Sequence, residues 1–371
     1  MKELREIYIS IQTTLFPVLE EEIGEITGKM KEFLRILELL RPNRFLTDAL
    51  RWCGLGRPMK DRENIFRAFI MKAVLDLPTT KVLIENLKTD PTWRRLCGWE
   101  YRSSIPSEAT FSRAFAAFSE MKILEKMHEI LIRECYEEKL VGHASIDSTA
   151  IEAREHSCRK KEPEVRQKKK RGRKSKAEKE AMQKSELAEI QTRRLALQGG
   201  RTLEANLEDL PQGCDWGGKR DSKGNTYHWR GYKLHLAIGD GGVPLAAVLS
   251  SASLHDSQVA IPLMQKVAER ATVLYDLADS GYDAGEIKAF SRKLGHVPII
   301  DCNKRRGEYI PFTPAEKRRY CERSTVERGN SDLKDNYGAR HVRVKGHWKV
   351  LCHLMFGVIA IAVKQLFNMI V

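Results

Sequence analysis

Residues 232–249 run Tyr232-Lys-Leu-His-Leu-Ala-Ile238, then Gly239-Asp240-Gly241-Gly242, then Val243-Pro-Leu-Ala-Ala-Val-Leu249. Tyr232, Leu234, Leu236 and Ile238 alternate with Lys233, His235 and Ala237, the period of a half-buried strand. Asp240-Gly241-Gly242 is a hairpin signal, and Val243 to Leu249 is the returning strand. Downstream, Asp256 can cap a helix running to about Arg270. Thr272 to Asp279 is another strand, followed by Gly281 and a helix to about Leu294. Val297 to Asp301 is a further strand. Upstream, Val141 to Ile151 is short and strand-like. Strand, hairpin, helix, strand, helix, strand, helix predicts an α/β domain with a mixed sheet.

An insertion from about Glu155 to His228 separates the first strand from the hairpin. It opens with a charge run: from His156 to Lys176 there are 11 Lys or Arg against Glu162 and Glu164. Such a run is either a solvated linker or a contact for a polyanion. Within it, Lys168, Lys169, Lys170, Arg171 and Arg173 are the candidates for DNA contact, and Arg171-Gly172-Arg173 could enter an A·T-rich minor groove. Ser175 to Leu197 reads as a largely polar helix.

Residues 1–135 read as a helical N-terminal region, and residues 136–371 as the α/β domain. Met30, Phe33, Leu34, Leu37 and Leu40 recur at helical spacing until Pro42-Asn43 breaks the run. Ile65, Phe66, Phe69, Ile70 and Val74 mark a second helix. A third follows Ser107, with Phe111, Phe115 and Phe118 on one face. Short helices with turns suit a helix-turn-helix or any small bundle equally well.

The 371 residues carry 64 Lys+Arg against 50 Asp+Glu, a net charge of +14. That excess favours nucleic acid as partner first and an anionic membrane surface second. Hydrophobic residues at 42% are enough for a sizeable core and exclude wholesale disorder. The eight cysteines contain no C-x-x-C pair, which removes zinc-finger and thioredoxin readings and fits a reducing cytoplasm. The N-terminus soon meets acidic residues, unlike a signal peptide. The longest apolar stretch, Leu351 to Val363, falls short of the ~20 residues that span a bilayer and reads as a buried helix.

Chemistry concentrates at Tyr320, Arg323, Glu327 and Lys334. At about 100° per residue they fall at about 0°, −60°, −20° and −40° on a helical wheel, one narrow polar stripe. Val326, Leu333 and Tyr337 form a separate apolar face. The stripe presents a carboxylate between two cations and a phenol, and the cations suit phosphates. Two helix starts compete. Ser324-Thr-Val-Glu327 matches a capping box, which would occupy Glu327 structurally. Thr313-Pro314-Ala-Glu316 offers an earlier start that leaves Glu327 interior and free.

The spacing Y-x-x-R-x-x-x-E-x-x-x-x-x-x-K resembles the signature of a large group of bacterial insertion-sequence DDE transposases. The resemblance extends to Ser145-Ile-Asp147-Ser-Thr149, like that family's first Asp motif at the end of the first strand. Ala278-Asp279-Ser-Gly281-Tyr282-Asp283 looks like its second. Arg230-Gly-Tyr-Lys-Leu-His235, Leu254-His-Asp256-Ser and the stretch around Ile105 to Ser112 resemble other recurrent segments, so the likeness covers most of residues 60 to 350. It implies an RNase H-like core in which Asp147, Asp279 and Glu327 hold divalent metal: Mg2+, with Mn2+ substituting. It implies DNA as partner, both element ends and target, a homodimer pairing two ends, a cytoplasmic and nucleoid-associated location, and no membrane. Tyr320, Arg323 and Lys334 would position phosphates.

Physical chemistry supports the same three carboxylates. Phosphodiester strand transfer needs hard cations held by carboxylate oxygens on rigid elements. Asp276 is excluded from this set: three residues from Asp279 in one strand, it points to the opposite face and needs a buried partner. Asp256 reads as a helix N-cap, and His235 and His255 as packing or hydrogen-bonding groups. Two departures stand out. Asp301 to Glu327 is too short for the β-rich insertion some members carry there, and a base-flipping aromatic cannot be carried over to Trp216 or Trp229. Two competing functions are a catalytically silent DNA-binding descendant and a metal-dependent nuclease without strand transfer.

Overall fold

The computed structural model describes residues 2–49, 61–137, 139–158, 193–220, 224–303 and 310–370. The basic run, with Lys168, Lys169, Lys170, Arg171 and Arg173, lies outside them.

Among the described residues the sheet has six strands: β1 (Leu140–Glu152), β2 (Asp215–Arg220), β3 (Thr226–Ile238), β4 (Pro244–Ser251), β5 (Thr272–Ala278) and β6 (Val297–Ile300). β1 pairs antiparallel with β3 and parallel with β5, and β5 pairs parallel with β6. The sheet is therefore mixed, as the element order predicts. β3 starts earlier than the alternation at Tyr232 suggests. Its first half pairs with β2, a strand inside the insertion, and its second half with β4. The change of partner falls at Gly231, where a Cβ would collide with the Ile151 carbonyl oxygen. Only glycine lets the two backbones approach this closely.

The β3–β4 hairpin closes through Asp240–Gly242, with Gly241 and Gly242 at φ 68° and 82°. Asp240 also accepts from the Gly142 N–H at 2.6 Å and the His143 N–H at 3.2 Å, tying the turn to the start of β1. In the insertion, the polar helix expected over residues 175–197 is described only from Arg193, where a short helix, Arg194–Gln198, begins.

The described N-terminal residues are helical up to Tyr136. Helix Arg62–Val74 is buried on nearly every side, from Ile65 to Val74. Phe69 packs on Phe111 and Phe115 at centroid distances of 5.9 and 5.0 Å, and Phe66 on Phe118 at 5.4 Å. Helix His347–Asn368 threads between this bundle and the sheet, meeting Phe66 and Phe69 through Phe356 and packing against β4. The apolar segment is longer than Leu351–Val363. At 22 residues it could cross a bilayer by length and composition, yet 89% of its apolar window is buried inside the protein. Bundle and sheet thus share one hydrophobic core.

Candidate active site

β1 and β5 are in register up to Ile146 beside Ala278. One step on, Asp147 stands beside Asp279, where β5 has ended and the chain turns through Ser280–Tyr282. Side chains in register on neighbouring strands share a face, so topology alone brings these two carboxylates together. The expectation that Asp147 ends its strand is corrected: it is central in β1, and what ends there is the pairing with β5. A strand that outruns its neighbour exposes its face at a gap, and the β5 terminus opens beside it. Asp279 accepts from the Gly281 N–H at 2.9 Å, which holds the turn.

Asp276 lies on the other face, fully buried. Its Oδ2 accepts from the Ser291 hydroxyl at 2.6 Å and pairs with His296 Nδ1 at 3.0 Å. The buried partner that its strand position demands is present. Asp256 corrects its reading as a cap: it makes no capping hydrogen bond and instead pairs with Lys233 Nζ at 2.9 Å. Its backbone is already helical, so the side chain is turned away from the free N–H groups. His235 and His255 hydrogen-bond to Ser250 and Ser257 at 2.9 and 2.8 Å.

The rest of the site comes from one helical segment laid over the Asp147 face. Helix Pro314–Tyr320 starts in a capping box formed by Thr313 and Glu316, passes through a tight turn at Cys321–Arg323, and continues as helix Ser324–Asn336. The earlier of the two candidate starts is the one adopted, so Glu327 caps nothing. Thr325 donates to the Glu322 carbonyl at 2.6 Å, and its hydroxyl lies 3.4 Å from that of Ser145. At Gly329 the helix lies so close to β3 that a Cβ would collide with Ile238 Cδ1.

Arg323 occupies the middle of the patch. Its guanidinium donates to Glu327 Oε1 at 2.5 Å and lies 5.7 Å from the centre of the Tyr320 ring. Burial opposes its charge, but Tyr320, Glu327, Asp147 and Asp279 together hold its pKa above the usual value. The Asp147 pKa is raised as well, which for a carboxyl disfavours the charge: burial and Asp279 push it up, against Lys219, the Ser148 N–H and Arg323. Tyr320 is half-buried against Phe312, at 4.8 Å between ring centroids. Lys334 is half-buried at the far end of the stripe, its ammonium depressed by burial, Arg340 and Lys219.

The fold thus brings Asp147, Asp279 and Arg323 together, with Glu327 joined to them through Arg323. It does not bring the three carboxylates into one cluster: among the described residues no three His, Cys, Asp or Glu side chains are grouped closely enough to hold a metal. Two members of the patch escape a reading of the sequence. Asn330 donates to Asp147 Oδ2 at 3.2 Å. At about −80° on the same wheel it borders the polar stripe and could have been found there. Lys219 reaches the Ser148 carbonyl at 3.2 Å from β2. Nothing local announces it, because Gly217-Gly218 disguises a short strand.

The transposase DDE domain family matches residues 142–363, more than half the chain, and a transposase domain (DUF772) matches residues 22–117. The chain belongs to the DDE transposases. The transposase core is RNase H-like, a mixed sheet with β1 at its centre. No curated protein and no solved structure matches the transposase. Transposases of this family generally use divalent metal ions, and the donor chemistry here suits one. Asp147 and Asp279 are adjacent hard oxygen donors, and burial leaves Asp147 short of compensating positive charge. Glu327 stands apart from this pair, held by Arg323.

Proposed function

We propose that this transposase binds the terminal inverted repeats of an insertion sequence, cleaves the DNA ends and joins their 3′-hydroxyls to target DNA. The supporting observation is the strand register that sets Asp147 beside Asp279 beneath a helix carrying Arg323 and Glu327. Asp147, Asp279 and Glu327 hold Mg2+, or Mn2+ in its place. Two such ions held by these residues would supply two-metal phosphodiester chemistry, activation of the attacking oxygen by one and stabilisation of the leaving oxygen by the other. Asn330 fixes the Asp147 carboxylate. Arg323 is positioned to take a phosphate oxygen in exchange for Glu327, and Lys334 to hold the next stretch of backbone. Tyr320 stacks the edge of the patch beside the scissile group. The helical region of residues 1–135 contacts the repeats, residues 136–371 perform the chemistry, and a homodimer pairs two ends on the cytoplasmic nucleoid, without a membrane.

The test uses DNA from both flanks of the gene, with Mg2+ and the full chain. Cleavage at the repeat ends and joining of pre-cut 3′-hydroxyl ends to a plasmid are the expected results. Cleavage without joining would make the protein a nuclease. Binding without either would make it a silent descendant.

A further inference from the structure

Away from the carboxylates, a cavity of about 500 Å³ opens at the seam between helical region and sheet. Lys72, Arg154, His341, Arg343, Lys345 and Lys349 line it, against a single acidic side chain, Glu108. Phe69, Phe115 and Phe356 contribute to its walls.

Lys72 is the unusual member. It comes from the buried helix Arg62–Val74 and is 8% exposed. Among the described residues its ammonium has no hydrogen bond and no ion pair, and Asp76, a turn later, is a counter-charge only at longer range. Two other lysines drawn into the interior are served within the chain: Lys266 donates to the Ala247 carbonyl at 3.0 Å, and Lys233 pairs with Asp256; Lys139 also lacks a partner among the described residues, but it does not line the cavity. The Lys72 ammonium is not sealed in: it opens on the cavity, where water or an anion can solvate it in place of a protein partner. Burial lowers the Lys72 pKa to about 8, so it is charged at neutral pH. Four further Lys and Arg side chains, Arg154, Arg343, Lys345 and Lys349, around one cavity favour an anion there.

Position indicates which anion. From Glu327 the polar stripe runs seven residues to Lys334, about 10 Å or three base-pair steps of duplex. Arg340 adjoins Lys334, and the next residues, His341, Arg343 and Lys345, line the cavity. We propose that this cavity is a second DNA-contact site, in which Lys72 is the counter-charge of a backbone phosphate on the duplex that leaves the carboxylates past Lys334. The occupant's identity as DNA rests on the function proposed above; the anion chemistry does not.

Two measurements on the full chain, both in EDTA, test it. Thermal unfolding in inorganic phosphate reads the anion site without DNA, and the salt dependence of binding to a 40-bp random-sequence duplex (about 40 bp suffices to span the protein) reads the backbone contact. Lys72→Met keeps the side-chain length and removes the buried charge, so its own melting temperature should not fall. The expected results are a phosphate-induced rise in Tm that Lys72→Met lacks, and a log–log salt slope shallower by about 0.9 in the variant. Should Lys72→Met fail to fold, Arg343→Gln/Lys345→Gln, in an exposed segment, is expected to flatten the slope and blunt the phosphate response. An unchanged slope with an unchanged phosphate response overturns the site. Loss of the phosphate response with an unchanged slope overturns the DNA assignment, leaving a pocket for a small phosphorylated ligand. A chain with the Lys72-dependent slope that never cleaves its flanking DNA supports this cavity while overturning the catalytic proposal.

Discussion

At the scale of single residues, Asp276 and Asp279 show how position separates structure from chemistry. Both are carboxylates of one short segment, but strand alternation sends them to opposite faces. Asp276 is spent on Ser291 and His296, whereas Asp279 emerges at the strand end beside Asp147. Asp279→Asn is expected to fold, bind DNA and not cleave. Asp276→Asn keeps one hydrogen bond and weakens another, so it should lose about 1–3 kcal/mol of stability and little rate per folded molecule. Denaturant unfolding and cleavage must be measured on the same preparations. A fully folded, inactive Asp276→Asn beside an active Asp279→Asn would reverse the assignment. Lys219 is exposed and touches the site only through the Ser148 carbonyl and its field on Asp147 and Lys334. Lys219→Ala should therefore leave the melting temperature unchanged and slow cleavage by about tenfold, ~1.4 kcal/mol in the barrier. An unaltered rate would return Lys219 to a surface role.

At the scale of elements, the helix over Asp147 matters as a unit. It is anchored at its start by the Thr313–Glu316 box and pressed onto β3 at Gly329. Gly329→Ala forces a methyl group toward Ile238, and overpacking of this kind costs about 1–3 kcal/mol. Ile238 is fully buried, and where its Cδ1 cannot turn aside the helix shifts instead, carrying Glu327, two residues before Gly329, and Asn330, the next residue, which holds Asp147. Cleavage per folded molecule should fall more than stability does. A variant that is destabilised but normally active would mean that the height of this helix does not set the site. The main elements were legible in the sequence from local signals: in β3 Tyr232, Leu234, Leu236 and Ile238 recur at every second position before a Gly-rich turn, β4 follows as an apolar run buried along its whole length, and Val326, Leu333 and Tyr337 share one buried face. The choice between two helix starts was not legible, since Thr313 and Ser324 offer the same local chemistry and the tight turn at Cys321–Arg323 joins them into one segment. β2 was missed because its pairing with β3 is a long-range fact, and the ion pair of Asp256 because a cap and a salt bridge require the same residue type.

At the scale of the molecule, the core is a property of the fold and the charge excess one of the sequence. The core is continuous from the helical region into the sheet through helix His347–Asn368, and the Tyr337 hydroxyl donates to Glu32 across the same junction. The positive charge is concentrated in one stretch of sequence: 11 Lys and Arg against two Glu between His156 and Lys176 account for +9 of the net +14. A run of this density repels itself in water and gains when each cation displaces a condensed counterion from DNA. Replacing Lys168, Lys169, Lys170, Arg171 and Arg173 with Gln should flatten the plot of log affinity against log salt by about 0.9 for each duplex phosphate that the variant no longer neutralises. It should leave the melting temperature alone, because the shared core is untouched. Cleavage of saturated complexes should be preserved, because neither the carboxylates nor Arg323 is altered. If Arg171 and Arg173 enter a narrow minor groove, restoring those two alone recovers affinity for an A·T-rich duplex more than for a G·C-rich one. Equal recovery on both confines them to the phosphate backbone, and an unchanged slope in the five-residue variant makes the run a solvated linker.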